Sequence, residues 1–421
     1  MVKKTKAIIN SGTGLFPLAW IASEVSKQNN LTKLIVAAYP TKIIVDTFFR
    51  IDFFKRTFKR LLGRKLEINE DLLEISWGSE FFYQLAHKIR GKKRFKFFYD
   101  LVSYFSHLFI EFAACKIIKN VSNDTKIYHF RAGFGGNSLK LAKEKKLITI
   151  CHHTQAHPLT FEYLVKNRGR KPNNSNIRLA KDKLSIIWKK ILSDIEKADY
   201  VLIESEFQLE TFKWVGFDLE KIISINHPGI DPYFRSIIPE KKLHNNQKPK
   251  ILFAGTLNRI KGADELMGLI ENTNALDYEL NIAGQIDSSA QIKYKKLIEN
   301  SKVNVLGVLT RSELAKQMCR NDILILLSYA EGSPRVVLEA MGCGCIIFTC
   351  PNSGTPIKEL QNGWLSEAGN LVKIEKDFRK MLLSKHLWSE IKSRNIKLSI
   401  DYFTPNKYLK ELNNLYNKIS I

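Results

Sequence analysis

The stretch Ile323–Gly344, ILILLSYAEGSPRVVLEAMGCG, carries the clearest structural pattern in the chain. It opens with an uninterrupted aliphatic run, Ile323–Leu327, which is typical of a strand buried on both faces in a parallel sheet. A short loop and an apolar pattern with helical spacing follow, and Ser333 and Pro334 suit the N-cap and the first position of a helix. The stretch therefore predicts a strand, a loop and a helix whose N-terminal backbone N–H groups form an anion site.

The same unit recurs along the whole chain, because short apolar runs alternate with helical patterns from one end to the other. The other runs are Ala7–Asn10, Leu34–Ala38, Ile127–Phe130, Ile148–Cys151, Tyr200–Ile203, Ile222–Ile225, Ile251–Ala254, Leu280–Ala283, Val303–Leu306 and Cys345–Phe348. This alternation predicts doubly wound α/β architecture. Eleven strands are too many for one comfortable sheet, so we expect two Rossmann-like domains.

The domain boundary is expected at Pro239–Lys250, PEKKLHNNQKPK, a polar and charged stretch between two periodic regions. Residues 1–238 would then form the first domain, 239–250 a linker and 251–387 the second domain. Residues 388–421 should form helices that pack back toward the first domain. Ligands bind outside the carboxyl ends of the strands in such sheets, so the two domains should face each other across a cleft.

Charge and cysteine usage limit the class of protein. The 421 residues include 66 Lys and Arg against 42 Asp and Glu, a net charge of +24 that points to an anionic partner. Six cysteines without a CxxC pair favour reduced thiols in the cytosol. The N-terminus lacks the apolar region of a secretory signal, and no uncharged apolar stretch reaches the roughly 18 residues of a membrane span. We therefore expect a cytoplasmic protein.

Two loops carry the residues with the clearest chemistry. Glu331 precedes the predicted helix and Glu339 lies about two turns into it, so that each carboxylate could accept hydrogen bonds from hydroxyl groups. In the loop Phe253–Leu266, FAGTLNRIKGADEL, Gly255 permits a tight turn, and Arg259 and Lys261 would stand where a diphosphate lies. The alternatives to ligand binding are that the two glutamates are ordinary surface residues and that the basic loop is only exposed to solvent.

Together these residues resemble the retaining glycosyltransferases of family 4, which have the GT-B fold. Glu331 and Glu339, with seven residues between them, match the paired-glutamate motif of that family. The resemblance covers nearly the whole second domain, through Gly255…Lys261-Gly262, Ile282-Ala283-Gly284, Val305–Val308, Asn321-Asp322 and Glu331–Gly344.

The resemblance implies a role for each matching residue. Glu339 would bind the ribose of a nucleotide-sugar donor, and Glu331 the donor sugar or its phosphate side. Arg259 and Lys261 would bind the diphosphate. Gly332, Ser333, Pro334 and Arg335 would line the sugar pocket. Many members carry an arginine directly after the glycine that matches Gly255; here that residue is Thr256, and Arg259 is expected to take over its role.

The first domain resembles the family more loosely. Gly12 and Gly14 follow the first strand, where the family has a glycine-rich loop near the donor, although a plain turn would explain them as well. The stretch Ile150–Pro158 would present three histidines to the cleft, and His152 and His157 match the position of a functional histidine in the family. A structural role and a zinc site are the alternatives for these histidines.

Two basic and aromatic segments lie in the first domain, Arg50–Lys65 and His87–Phe98. Basic helices with an aromatic face suit an acidic membrane surface, and membrane docking of this domain is frequent in the family. The alternative is a solvated helix with its apolar side in the core. Nucleic acid is not expected, because no recognition motif accompanies the charge.

The resemblance implies a retaining hexosyl- or N-acetylhexosaminyltransferase that needs no cofactor or metal; the chain also lacks an Asp-x-Asp triplet. The donor would be a nucleotide-diphosphate sugar, with UDP-sugar preferred, and the acceptor a glycan or lipid-linked saccharide. The context would be cell-surface polysaccharide or lipopolysaccharide assembly at the inner face of the cytoplasmic membrane. The alternatives are a sugar-nucleotide epimerase of similar fold and a non-catalytic protein that binds nucleic acid or membrane.

Overall fold

The structure, a computed structural model, describes most of the chain. The residues described are 5–14, 17–42, 45, 61–62, 64–89, 96–225, 233–234 and 248–420. The expected linker and domain boundary fall largely on residues 235–247, outside the described residues.

The first domain is built on a parallel sheet of seven strands with helices on both faces. Its strands are β1 (Lys6–Gly12), β2 (Leu31–Val36), β3 (Leu73–Ile75), β4 (Thr125–Arg131), β5 (Ile148–His152), β6 (Tyr200–Ile203) and β7 (Ile222–Ser224). Its helices are α1 (Pro17–Lys27), α2 (Trp77–Ile89), α3 (Lys96–Lys119), α4 (Gly136–Glu144), α5 (Pro158–Lys166), α6 (Asn174–Lys183), α7 (Ile186–Lys197) and α8 (Glu206–Trp214). The strand order is β3-β2-β1-β4-β5-β6-β7.

The second domain repeats this plan with a parallel sheet of six strands. Its strands are β8 (Lys250–Ala254), β9 (Glu279–Ala283), β10 (Val303–Gly307), β11 (Ile323–Leu326), β12 (Ile346–Thr349) and β13 (Gly363–Leu365). The helices after β8 are α9 (Ala263–Asn272), α10 (Ser288–Lys293), α11 (Lys295–Ile298), α12 (Arg311–Arg320), α13 (Arg335–Gly342), α14 (Leu371–Leu383), α15 (Trp388–Asp401) and α16 (Pro405–Ile419). The strand order is β10-β9-β8-β11-β12-β13.

The prediction of two doubly wound α/β domains is confirmed, and each of the eleven predicted strands is present. Two strands were missed, β3 and β13, which contain three residues each and lie at an edge of their sheets. In both sheets the order reverses beside the first strand, between β1 and β4 and between β8 and β11. This is the place where open α/β sheets bind ligands.

The start of α13 differs from the prediction. Pro334 has extended backbone angles (φ −72°, ψ 115°) and stands at the N-cap, no side chain caps the helix, and Arg335 is the first helical residue. Ser333 therefore belongs to the loop and not to the helix end.

The C-terminal helices divide between the two domains. Trp388 and Ile391 of α15 are buried in the core of the second domain. Leu412 and Tyr416 of α16 are buried in the core of the first domain, against one face of the seven-stranded sheet. Only α16 therefore packs against the first domain, where the helices of residues 388–421 were expected. Helix α15 instead extends the core of the second domain.

Candidate active site

Backbone geometry at Gly262 brings the two principal loops of the second domain together. Gly262 has a left-handed conformation (φ 74°) at the N-terminus of α9, and a Cβ there would lie 2.2 Å from the carbonyl oxygen of Leu327. A side chain at this position would therefore push α9 away from the end of β11. The close approach places Lys261 beside Glu331.

Lys261 and Glu331 form an ion pair at the carboxyl ends of β8 and β11. Both side chains are largely enclosed, with 23% and 14% of their surface exposed. The Ser328 hydroxyl donates to Oε1 of Glu331 at 3.3 Å. The backbone N–H of Glu331 donates to the carbonyl of Asn352 at 3.0 Å, which holds the loop in place. An ammonium and a carboxylate are thus held together at the carboxyl end of the sheet.

The space beside Gly255 is open. Gly255 (φ 139°) ends β8, and a Cβ there would meet no atom within 4 Å. The neighbouring Gly284 is closely packed instead, because a Cβ there would lie 2.0 Å from the carbonyl oxygen of Gly255. The backbone at the end of β8 is therefore uncovered at Gly255, whereas the end of β9 is closely packed against it.

Arg259 does not point to the same place as Lys261. Its guanidinium donates to the carbonyl oxygens of Val165 (Nε, 3.2 Å) and Lys166 (Nη2, 2.9 Å), at the C-terminus of α5 in the first domain. A cation is favourable there because the last carbonyls and the dipole of a helix attract positive charge. Arg259, which we expected to bind a diphosphate, therefore lies in the contact between the domains.

Glu339 lies on α13 with Arg335 and Val336 on the side that is not fully buried. Ser333 and Pro334 connect this helix to Gly332. Glu331 therefore lies in the loop before α13 and Glu339 lies within the helix, as the sequence predicts.

Gly332 packs closely against the first domain. A Cβ at Gly332 would lie 2.2 Å from the carbonyl oxygen of Thr154 in the first domain. A Cβ at Gly354 would in turn lie 1.7 Å from the carbonyl oxygen of Gly332. Only glycine permits this packing, which brings the end of β5 against the loop that carries Glu331.

The three histidines after β5 are buried. His152 is fully buried, and its Nε2 lies 3.1 Å from Oε1 of Glu204. His153 donates from Nε2 to the carbonyl of Ala156 at 3.1 Å, and burial lowers its pKa to about 4. The expectation that these side chains open toward the cleft is therefore wrong for the structure described.

His157 has a structural environment. It is the N-cap of α5, where its Nδ1 accepts the backbone N–H of Leu159 at 3.2 Å. Its ring packs edge-on against Phe212, and burial lowers its pKa to about 3. Among the residues that the structure describes, no group of three or more His, Cys, Asp or Glu side chains could hold a metal ion.

The glycine turn at the end of β1 is held in place by contacts within the first domain. Gly12 (φ 71°) lies under the ring of Phe134, where a Cβ would meet ring carbons at 2.6 Å. Gly14 (φ 75°) lies near the hydroxyl of Tyr83 on α2. Arg131 donates to the carbonyl of Thr13 between them at 2.9 Å. The turn lies at the carboxyl end of the sheet, as expected for a loop that borders the cleft.

A further contact joins the two domains beside the candidate site, and the sequence did not predict it. Arg168 donates from Nε and Nη2 to Oε1 of Glu265, at 2.7 and 2.6 Å. Glu265 is fully buried and also accepts the hydroxyl of Tyr329. The side chain of Asn352 donates to the carbonyl of Gly169 at 2.8 Å. Glu265 stands in the quoted loop Phe253–Leu266, but its burial depends on Arg168, almost a hundred residues earlier.

A cavity of about 590 Å³ lies at the junction of the domains, and Gly354 is among the residues that line it. Glu204, Ser333, Thr355 and Arg394 are among its lining residues, and α16 contributes Tyr408. It is separate from the space beside Gly255.

The arrangement of two facing Rossmann-like domains defines the GT-B class of fold. Residues 234–398, less than half of the chain, match the family model of glycosyl transferases group 1. The solved structure of Anabaena Alr3699/HepE in complex with UDP and glucose has a TM-score of 0.61 and 14% identity, and the match covers 98% of this chain and 100% of that one. This likeness shows the fold.

Two relatives are similar in sequence. An uncharacterised 41.2 kDa protein in the cps region of Klebsiella pneumoniae is 25% identical over 306 residues, which cover 70% of this chain and 78% of that protein. The N,N'-diacetylbacillosaminyl-diphospho-undecaprenol alpha-1,3-N-acetylgalactosaminyltransferase of Campylobacter jejuni subsp. jejuni serotype O:2 is 24% identical over 224 residues, which cover 51% of this chain and 55% of that enzyme. With the family model, these matches support a glycosyltransferase of the GT-B fold.

Proposed function

We propose that the chain is a retaining glycosyltransferase of family 4 that moves a hexosyl or N-acetylhexosaminyl group from a nucleotide-diphosphate sugar. The observation that carries the proposal is the largely enclosed ion pair of Lys261 and Glu331 at the carboxyl ends of two adjacent strands, β8 and β11. UDP-sugar is the preferred donor, which is supported by the UDP and glucose bound to the Anabaena protein of the same fold.

In this proposal Lys261 and Glu331 exchange partners when the donor binds. The diphosphate takes the ammonium of Lys261, and the carboxylate of Glu331 then accepts hydroxyl groups of the sugar. Glu339 binds the ribose, while the backbone from Gly332 to Arg335 borders the sugar. A cation that already stands at the leaving group needs no reorganisation as negative charge develops there.

The transfer breaks the bond between the anomeric carbon and the diphosphate oxygen and forms a bond from that carbon to the acceptor oxygen on the same face. The acceptor proton passes to the leaving phosphate. Because the chain has no Asp-x-Asp triplet, we propose that the ammonium of Lys261, and not a divalent cation, stabilises the leaving group. Arg259 could join it only after leaving the carbonyls of α5.

We propose a glycan or lipid-linked saccharide as the acceptor, at the inner face of the cytoplasmic membrane. The names of the two relatives, from a cps region and from undecaprenol-linked chemistry, support this context. The basic segments Arg50–Lys65 and His87–Phe98 are proposed to contact the acidic membrane. Residues 50–60, 63 and 90–95 of these segments lie outside the described residues.

Thermal unfolding with UDP, GDP, ADP and CMP, on wild type and Lys261→Ala, tests the donor site. A ligand at about 100 times its dissociation constant stabilises by about 2.7 kcal/mol, a shift of several degrees. We expect one diphosphate to stabilise the wild type and to lose most of that effect in the variant. Conversion of a UDP-sugar into another UDP-sugar without an acceptor would instead favour an epimerase, and no stabilisation by any nucleotide would contradict the proposal.

A further inference from the structure

The cavity of about 590 Å³ at the domain junction has walls from both domains, and we call it the junction cavity. The first domain contributes Glu204 and Ser205 after β6, together with Tyr408 of α16, which packs on that domain. The second domain contributes Ser333, the loop after β12 and the C-terminal part of α15. Its volume is in the range of small-molecule sites, about 300–1,000 Å³, and its wall is complete only when the two domains are in contact.

Two hydroxyl groups of residues in its wall are buried without a hydrogen-bond partner among the described residues. They are Oη of Tyr408, on a side chain that is 2% exposed, and Oγ1 of Thr355 in the loop after β12. Buried hydroxyls are almost always paired, because the loss of their hydrogen bonds to water is otherwise uncompensated. Burial raises the pKa of the Tyr408 phenol, so this hydroxyl keeps its proton. Both hydroxyls are therefore available to donate a hydrogen bond to a bound molecule.

The charges around the junction cavity are balanced. Three carboxylates line it with three cations, namely Glu204, Glu206 and Glu411 with Lys358, Arg394 and Lys407. Arg394 is paired with Glu390 and donates to the carbonyl of Gln361 at 2.8 Å. Nζ of Lys407 lies 4.1 Å from the centroid of the Tyr402 ring. An ionic ligand would thus meet no excess of opposite charge, which favours an uncharged polar ligand.

Both walls hold their polar groups in fixed positions. In the second domain the side chain of Asn362, 3% exposed, donates to the carbonyl of Pro356 at 3.1 Å and accepts the N–H of Lys358 at 2.7 Å. In the first domain Oε1 of Glu204, 4% exposed, lies 3.1 Å from Nε2 of His152. Polar groups that are already oriented bind a ligand at a lower entropic cost.

Apolar side chains lie between these polar groups. Leu338, Leu398 and Phe403 line the junction cavity together with the carboxylates, amides and hydroxyls. A small-molecule site typically combines apolar walls with a few placed polar groups that fix the orientation of the ligand. A saccharide matches both, because its rings carry C–H groups on their faces and hydroxyls at their edges, and each hydroxyl can donate and accept a hydrogen bond.

We propose that the junction cavity binds an uncharged saccharide at a place other than the candidate donor site. Lys261, Glu331 and Glu339 are not among the residues that line it, whereas Ser333 reaches it from the loop that begins at Glu331. The saccharide is then a sugar unit of the glycan acceptor that lies away from the reacting unit, and this last assignment rests on the proposed function. Because both domains contribute to the wall, the bound saccharide also favours their contact.

Saturation-transfer NMR on the full chain tests binding directly. The probes are the methyl glycosides of glucose, galactose, mannose, N-acetylglucosamine and N-acetylgalactosamine, with glucose 6-phosphate as the charged probe. We expect at least one methyl glycoside to receive saturation from the protein. No transfer to any of the five, or transfer to glucose 6-phosphate alone, would overturn the proposal.

The variant Thr355→Val/Tyr408→Phe assigns the binding to the junction cavity. It removes the two unpaired hydroxyls and no hydrogen bond within the described part of the protein, so it should fold as stably as wild type. We expect it to bind the methyl glycoside roughly tenfold or more weakly, and Tyr408→Phe alone about three- to tenfold more weakly. The control Tyr163→Phe, a partly exposed tyrosine outside the cavity wall, should bind as wild type does. Unchanged binding in the double variant at wild-type stability would contradict the proposal.

Lys261→Ala separates this inference from the proposed function. It should lose the stabilisation by UDP and keep saccharide binding, whereas Thr355→Val/Tyr408→Phe should show the opposite pattern. Loss of saccharide binding in Lys261→Ala would place the ligand at the donor site and overturn the inference. Saccharide binding without stabilisation by any nucleotide would remove the proposed function and leave the saccharide site standing.

Discussion

His157 shows how one residue type can fit a functional pattern and serve the fold. It follows a strand at the edge of the cleft, yet its Nδ1 caps α5 and its ring is buried against Phe212. Because burial holds its pKa at about 3, the folded protein keeps the ring neutral over the physiological range. A neutral and buried imidazole is suited to packing more than to proton transfer with a bound substrate.

Replacement of His157 by asparagine should flatten the pH dependence of stability. Folding lowers the pKa of His157 from about 6.5 to about 3. Between these pH values the imidazole is protonated in the unfolded chain and neutral in the folded chain. Stability is therefore lost as pH falls through this window, with a slope of about 1.4 kcal/mol per pH unit for each such histidine. Asparagine keeps an N-cap acceptor and does not titrate.

Urea unfolding between pH 4 and 7 measures the slope, with the exposed His386→Asn as the control. The same slope in His157→Asn and wild type would contradict the prediction. Loss of transfer activity at unchanged stability would instead assign the ring a role with substrate.

At the scale of elements, three contacts at and beside the loop between α5 and α6 join the two domains, and we call these contacts the clasp. Arg168 reaches the buried Glu265 of α9, Arg259 reaches the end of α5, and Asn352 holds the carbonyl of Gly169. All three contacts join the first domain to loops that border Lys261 and Glu331. We therefore expect the clasp to couple the approach of the domains to the geometry of the candidate donor site.

The change Arg168→Ala should weaken this coupling. Without Arg168, a fully buried carboxylate loses its cation, which costs about 1–3 kcal/mol, and the loss is moderated because Arg168 is 41% exposed. We expect lower thermal stability and a larger radius of gyration in solution scattering, whereas the exposed Arg170→Ala should leave both unchanged. Addition of Glu265→Gln should recover part of the loss, and strict additivity of the two changes would argue against a direct partnership.

The elements differ in how far the sequence predicts them. Long aliphatic strands are visible as continuous runs, whereas β3 and β13 have only three residues and take their place from the strands beside them. The positions of Lys261 and Glu331 after predicted strands follow from the sequence, whereas their ion pair depends on β8 and β11 being neighbours in the sheet. The direction of the Arg259 side chain could not be predicted from the sequence, because it depends on the position of α5 in the other domain.

For the molecule as a whole, α16 is the element that ties the end of the chain to its beginning. The hydroxyl of Tyr416 lies 2.7 Å from Nδ1 of His129 in β4, and His129 stacks on His152. His152 in turn contacts Glu204, which lines the cavity at the domain junction. The burial of His152 therefore depends on residues far away in the sequence, which is why its environment could not be foreseen from the stretch around it.

Truncation of Leu412 should separate the behaviour of the two domains. Leu412 is fully buried in the first domain but belongs to a helix that follows the second, so Leu412→Ala leaves a cavity worth about 2–5 kcal/mol in the first domain alone. We expect calorimetry to show a low-temperature transition for the first domain, with a later one for the second domain that UDP still shifts upward. The exposed Leu383→Ala should keep the wild-type profile. A single transition in Leu412→Ala, shifted as a whole, would mean that the clasp and Gly332 join the domains more tightly than α16 does.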